Sequence, residues 1–150
     1  MAHTYTHFLN HLIFSTKDHR PSLDASLRGR LFPYIGGIFR ELGASVCAIN
    51  GTADHVHILA SLPPDKAISE IMRLVKTNSS RWVHQTFDDY KEFAWQIGYG
   101  GFSVSESGRQ DVCNYIAAQE QHHKKMTFEE EFLAFLKKHG VQYDPNYLWK

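Results

Sequence analysis

The order in which two hydrophobic periodicities succeed one another is what most constrains this chain. Alternation over residues 5–16 predicts a strand, with Phe8, Leu12 and Phe14 on one face and His7, His11 and Ile13 on the other. Helical spacing of Leu27, Leu31, Ile35, Ile38 and Leu42 predicts a helix from about Asp24 to Leu42. Pro33 and the Gly36-Gly37 pair are expected to kink it or to move its start towards Pro33. Gly43 suits the position just past its end. Strands follow at Ala44–Asn50 and Asp54–Leu62, joined by an Asn50-Gly51 hairpin turn. Asp65 is expected to cap a helix reaching about Phe87, with an apolar stripe of Ile68, Ile71 or Met72, Val75, Trp82 and Val83. A fourth strand is expected at Phe102–Ser105. Capping boxes at Ser107–Gln110 and Thr127–Glu130 open two last helices, to about Lys124 and to about His139, where Gly140 closes the second. The tail from Val141 to Lys150, with Tyr143, Tyr147 and Trp149, is expected to pack back on the domain or on a partner chain. Strand, helix, strand, strand, helix, strand is the split βαβ order. It implies a ferredoxin-like (RRM-like) α+β domain spanning residues 1–150. Its antiparallel sheet would carry both crossover helices on one face, and additional C-terminal helices would follow.

Composition narrows the classes. The hydrophobic fraction is 43% and the charged fraction 21%, ordinary values for a globular chain. No apolar run reaches membrane-spanning length and nothing at the N-terminus reads as a signal peptide, so a cytoplasmic protein is expected. Cys47 and Cys113 form no CxxC pair and read as reduced core thiols. Sixteen basic and sixteen acidic residues cancel, so any nucleic-acid binding must come from local patches. Ten histidines invite metal or acid–base chemistry.

Two stretches carry that chemistry. In Asp54-His55-Val56-His57-Ile58-Leu59, strand alternation places His55 and His57 on one face and Val56 and Ile58 on the other. Both crossover helices would cover Val56 and Ile58, leaving the imidazoles on the opposite face. Alone, the pair also fits two half-buried histidines that bind nothing. Asp54 alternates away from them and is not counted as a ligand. About sixty residues later, Tyr115 and Gln119 stand four apart on a helix, with Asp111 and His122 flanking them and Val112, Cys113, Ile116 and Ala117 forming the docking face. Two imidazoles and one amide oxygen make an open three-ligand site. Nitrogen and oxygen donors without thiolate suit Mg²⁺ or Mn²⁺, the imidazoles tilting towards Mn²⁺. Such an ion polarises a phosphoryl oxygen, and a tyrosine one turn from the amide is placed to attack phosphorus. The exposed face of the second long helix, with Arg73, Lys76 and Arg81, together with Lys17, would suit a phosphate backbone. It would equally suit plain solvation.

These motifs resemble those of the single-tyrosine HUH transposases of the insertion-sequence 200/605 group, the IS200-like transposases. His55-Val56-His57 matches the His-hydrophobic-His motif and Tyr115 to Gln119 the nucleophile helix. Ser15-Thr16-Lys17, Trp95 to Val104 and Gln121-His122-His123-Lys124 are also similar to family signatures, so the resemblance covers nearly the whole chain. It implies that Tyr115 is the nucleophile and that His55, His57 and Gln119 hold the metal. It implies cleavage and rejoining of single-stranded DNA at mobile-element ends through a 5′-phosphotyrosine, recognition of DNA hairpins, and a homodimer in which the tyrosine helix can act in cis or in trans.

Other readings stay open. A host-domesticated nuclease acting at repeated palindromes, more often monomeric, shares the motifs. A nucleotide hydrolase with a His-x-His-x-His strand would need histidine at Leu59. A non-catalytic ferredoxin-like nucleic-acid-binding module would need aromatic platforms where His55 and His57 stand. Intact motifs are also compatible with an inactive member of the family.

Overall fold

A computed structural model describes residues 3–149 of the chain. Its elements are β1 (Leu9–Ser15), α1 (Ala25–Glu41), β2 (Ser45–Gly51), β3 (His55–Ser61), α2 (Ile68–Thr86), β4 (Gly100–Ser103), α3 (Arg109–Ala117), α4 (Gln119–His122) and α5 (Phe128–Lys138). Short 3₁₀ turns occupy Lys17–His19 and Glu106–Gly108. The four strands form one antiparallel sheet in the order β2-β3-β1-β4.

Strand parity sorts the side chains into two layers. Leu12, Phe14, Val56, Ile58 and Ala60 join the buried residues of α1 and α2 in the largest core. The other face carries Leu9, Ile13 and Leu59 with His11, His55 and His57, all buried. Ile116 of α3 packs on Leu9 and Leu59, while Phe128, Phe132 and Leu136 of α5 pack on Ile13 and Phe102. β3 is therefore covered on both sides, and its histidines lie in the interior between the sheet and the last helices.

The sequence expectations hold for the strand faces and fail in particular places. Phe8 precedes β1 and is 47% exposed, so it joins neither layer. α1 runs through Pro33 without interruption. Pro33 and Gly29, four residues earlier, both lie on the exposed side, where water can replace the missing amide donor. The cap of α2 is Ala67, not Asp65. Gly51 is the last residue of β2, paired with Val56, and the connection is Thr52-Ala53-Asp54 in place of an Asn50-Gly51 turn. A Cβ on Gly51 would fall 2.1 Å from the His55 carbonyl oxygen, so glycine answers here to a close strand approach. β4 begins two residues early, at Gly100. Ser107 caps nothing: its hydroxyl pairs with that of Ser105, and a 3₁₀ turn precedes α3. The helix carrying Tyr115 stops at Ala117, because Ala118 departs from helical geometry. The Thr127–Glu130 box forms and Gly140 adopts φ 65° after α5. The tail packs back through Trp149, against Phe128, Phe132 and His19; its last residue, Lys150, lies outside the described residues. Cys47 and Cys113 are unpaired and half-buried.

Gly100 lets α5 reach the sheet. A Cβ there would meet the Phe132 ring at 2.5 Å, and this aromatic layer has no flexible end to move aside. Gly100→Ala should therefore lower stability by about 1–3 kcal/mol in urea unfolding. In contrast, Gly36→Ala, where a Cβ meets nothing within 4 Å inside α1, should raise it by up to about 1 kcal/mol.

Candidate metal centre and nucleophile

Each histidine of β3 is gripped from behind and points its other nitrogen inward. His55 Nδ1 lies 2.8 Å from Asp54 Oδ1 and 3.0 Å from Thr52 Oγ1. Asp54 is thus the acceptor that fixes the His55 ring. Burial raises the Asp54 pKa, but hydrogen bonds from His55 and Thr52 outweigh it and hold the carboxyl below its ordinary range. Asp54 is itself placed by Thr16, whose amide and hydroxyl both donate to the Asp54 carbonyl. Thr16 bridges to Trp95, and the Ser15 amide donates to Gln96 Oε1. Two of the signature stretches thereby brace the loop beneath the histidines. His57 Nδ1 lies 2.7 Å from His11 Nε2. Burial, with the neighbouring His57, pushes the His11 pKa down to about 3. Burial pushes His57 down to about 4, the hydrogen bond and charge of Glu131 offsetting only part.

α3 and α4 bring in the second stretch. Asn50 of β2 donates to the Ile116 and Ala117 carbonyls, satisfying the end of α3 where the chain breaks. Gln119 then starts α4 and is fully buried, its Oε1 2.9 Å from His55 Nε2. Tyr115 is half-buried, stacked on His122 at 4.3 Å between ring centroids. The break at Ala118 does not separate the pair: both side chains turn towards the histidines of their own chain.

The acceptor they turn to is Glu131 of α5, 1% exposed, which the sequence reading did not single out. Its Oε1 lies 2.9 Å from His57 Nε2, 3.0 Å from His123 Nε2 and 3.6 Å from His55 Nε2. Its Oε2 accepts from the Tyr115 hydroxyl and, at 3.2 Å, from Gln119 Nε2. Burial works to raise the Glu131 pKa, but the bonds from His123, His57 and Tyr115 outweigh it and keep the carboxyl ionised. Burial and the bond to this carboxylate push the Tyr115 phenol well above its ordinary value. A signal for Glu131 was present in the sequence. Phe128, Glu131, Phe132 and Phe135 fall on one helical stripe, and an acid in such a stripe is a buried charge that needs partners.

One ligand atom each from His55, His57, His123 and Glu131 lie within 4.8 Å of one another. Three imidazole nitrogens and one carboxylate oxygen are a donor set that a divalent ion could gather, the ligands closing in on it as it binds. Proton counting points the same way. If His55 donates its Nδ1 proton to Asp54 and stays neutral, its Nε2 lone pair faces two acceptors, Gln119 Oε1 and Glu131 Oε1, and a cation between them would relieve this.

The four cations read as phosphate contacts do not gather at this centre. Arg73, Lys76 and Arg81 belong to α2, on the far side of the sheet. Arg73 is exposed and paired with Glu70 at 2.7 Å. Lys76 is turned inward, which corrects its reading as a phosphate contact: its ammonium donates to the Gln96 and Gly98 carbonyls, and burial pushes its pKa down to about 8. Arg81 and Lys17 are exposed.

The family model described as "Transposase IS200 like" matches residues 4–119. The ISDra2 transposase TnpA of Deinococcus radiodurans is 28% identical over 114 residues, covering 73% of this chain and 81% of the relative. The transposase for insertion sequence element IS200 of Salmonella typhimurium is 28% identical over 129 residues, covering 79% and 81%. Among solved structures, a putative transposase from Deinococcus radiodurans superposes with a TM-score of 0.63 at 24% identity, covering 78% of this chain and 94% of that one. A REP-associated tyrosine transposase bound to a REP hairpin gives 0.62 at 17%, covering 80% and 71%.

Two outcomes check the site. Unfolded imidazoles take a proton near pH 6.5, whereas His11 and His57 in the folded protein wait until about 3 and about 4. The unfolded state binds the extra protons, so chelator-treated protein should lose roughly 2–4 kcal/mol of stability between pH 7 and pH 5 in urea titrations. Asp54→Ala should weaken Mn²⁺ binding about 10–100-fold by calorimetry while the protein stays folded.

Proposed function

This chain belongs to the IS200-like transposase family, whose members are DNA-cleaving enzymes, and from that premise we propose that it cuts and rejoins single-stranded DNA at Tyr115. One observation carries the reading: the Tyr115 hydroxyl, the Gln119 amide and the Nε2 atoms of two strand histidines converge on one buried carboxylate within a single chain. His55, His57 and Gln119 would hold Mg²⁺ or Mn²⁺, with His123 and Glu131 within reach. When bound, that ion withdraws charge from a phosphoryl oxygen.

The chain's own residues do the rest. The Tyr115 oxygen forms a bond to phosphorus as the bond from phosphorus to the 3′ oxygen breaks. The strand is left with a 5′-phosphotyrosine and a free 3′-hydroxyl, and the phenolic proton is transferred overall to that hydroxyl. The aryl phosphate keeps the bond energy, so a 3′-hydroxyl can attack it in reverse and rejoin DNA. His122, stacked on the phenol, limits the directions the ring can take. The scaffold is ferredoxin-like, one unit of residues 1–150, and the substrate class is a DNA hairpin at an element end. The hairpin-bound relative supports that class. Lys17, Arg73 and Arg81 are the remaining candidates for phosphate contact.

The family resemblance implies a homodimer. A second reading takes the packing of α3 over β3 of the same chain as the working arrangement, in which the tyrosine acts in cis. That suits a domesticated nuclease working as a monomer at repeated palindromes. The mass of the protein–hairpin complex in solution separates the two.

Tyr115→Phe should abolish the covalent adduct on a denaturing gel and leave hairpin affinity within about twofold, since the change removes one hydroxyl, held by Glu131, and keeps the ring. Continued cleavage by that variant removes Tyr115 as nucleophile. Arg81→Ala should lower the salt slope of hairpin binding by about 0.7–0.9. An unchanged slope returns Arg81 to the solvated surface.

A further inference from the structure

The family match ends at Gln119, yet the most contacted group in the site comes from α5, twelve residues beyond it. Glu131 divides its two oxygens between two different tasks. Oε1 sits among the inward nitrogens of His55, His57 and His123. Oε2 holds the Tyr115 hydroxyl and the Gln119 amide. A carboxylate needed only to neutralise one histidine would not reach all four side chains that the two motifs supply.

The helix that carries it is held rigid. Its first turn is closed by the Thr127 capping box, Phe128 stacks on His55 at 4.6 Å, and Phe132 lies against Gly100. The carboxylate is therefore placed by packing, as a preorganised group must be. A cleft of about 490 Å³, lined in part by Asp111, Val112, His122 and Phe135, opens on to the phenol and Glu131. The hydroxyl and the carboxylate that holds it are thus both reached from that cleft.

We propose that Glu131 is a bridging residue, a metal ligand through Oε1 and the positioning group for the Tyr115 hydroxyl through Oε2. α5 thereby registers the nucleophile against the metal centre in the same chain. This deepens the transposase reading and rests on it for the role of Tyr115. The ligand half stands on the donor cluster alone.

The test compares wild type, Glu131→Gln and Tyr115→Phe, with folding checked by circular dichroism and melting temperature. Mn²⁺ affinity of the metal-free proteins is measured by calorimetry. Hairpin affinity and the single-turnover rate of adduct formation are measured on a hairpin-bearing single strand at saturating Mn²⁺. Glu131→Gln should weaken Mn²⁺ binding at least about 10-fold and slow adduct formation about 100-fold, with hairpin affinity unchanged. Tyr115→Phe should bind Mn²⁺ as wild type does. Wild-type Mn²⁺ affinity in Glu131→Gln overturns the ligand role, and a wild-type adduct rate overturns the positioning role; either one removes the bridge. Should the amide variant fail to fold, Glu131→Asp, which keeps the charge but withdraws it by one methylene, takes its place with the same expectations. A wild-type protein that forms no adduct would sink the transposase reading instead, and the Mn²⁺ measurement would still decide whether Glu131 is a ligand.

Discussion

A carboxylate buried to 1% exposure among imidazoles is the interaction on which the rest of this structure turns. Removing an anion from water costs several kcal/mol even after the protein relaxes, and only close opposite charge or donated hydrogen bonds offset that. Glu131 receives them from α3, α4 and β3 together with His123. With α5 itself, four stretches of the chain are thereby tied to one point. The same arrangement explains why β3 can be buried on both faces although it carries two histidines. Each ring has one nitrogen satisfied behind it, by Asp54 or by His11, and one in front.

The first layer of the fold was legible because strand parity is unforgiving. Val56 and Ile58 had to face one side and His55 and His57 the other, whatever the loop lengths. The helical stripes of α1 and α2 were equally plain, and with the strand order they brought both helices to the apolar side. In the site, the four-residue spacing of Tyr115 and Gln119 was enough to bring both side chains to the histidines, even though the helix breaks between them. Asn50 makes that break tolerable by taking up two of the carbonyls it frees.

What was not legible has specific causes. Asn-Gly is the strongest short hairpin signal, but Gly51 serves a steric need inside the strand, and the turn falls on the next three residues. Lys76 looks like one more cation on a polar helix face. Only the tertiary position of Gln96 and Gly98 shows that its ammonium closes a loop instead of facing water. Asp54 alternates away from the imidazole face, as strand geometry demands. Yet it precedes β3, where the chain is no longer extended, and its side chain returns to the back of His55.

Glu131 is the most instructive of these, because two neighbouring acids disguise it. Glu130 closes the capping box and Glu129 pairs with His19 at 3.4 Å, so a run of three glutamates at a helix start reads as favourable dipole charge. The register of the phenylalanines separates them. Phe128 and Phe132 place the third glutamate, and neither of the first two, on the side that meets the sheet. A charge carried into an apolar interface by helical spacing is unstable there unless something waits for it. In this chain what waits is a cluster of imidazoles whose inward nitrogens, without that acid, would lose their hydrogen-bond acceptor. The two halves of the site therefore explain each other: the histidines make α5's acid tolerable, and that acid draws α5 across the sheet and closes the centre.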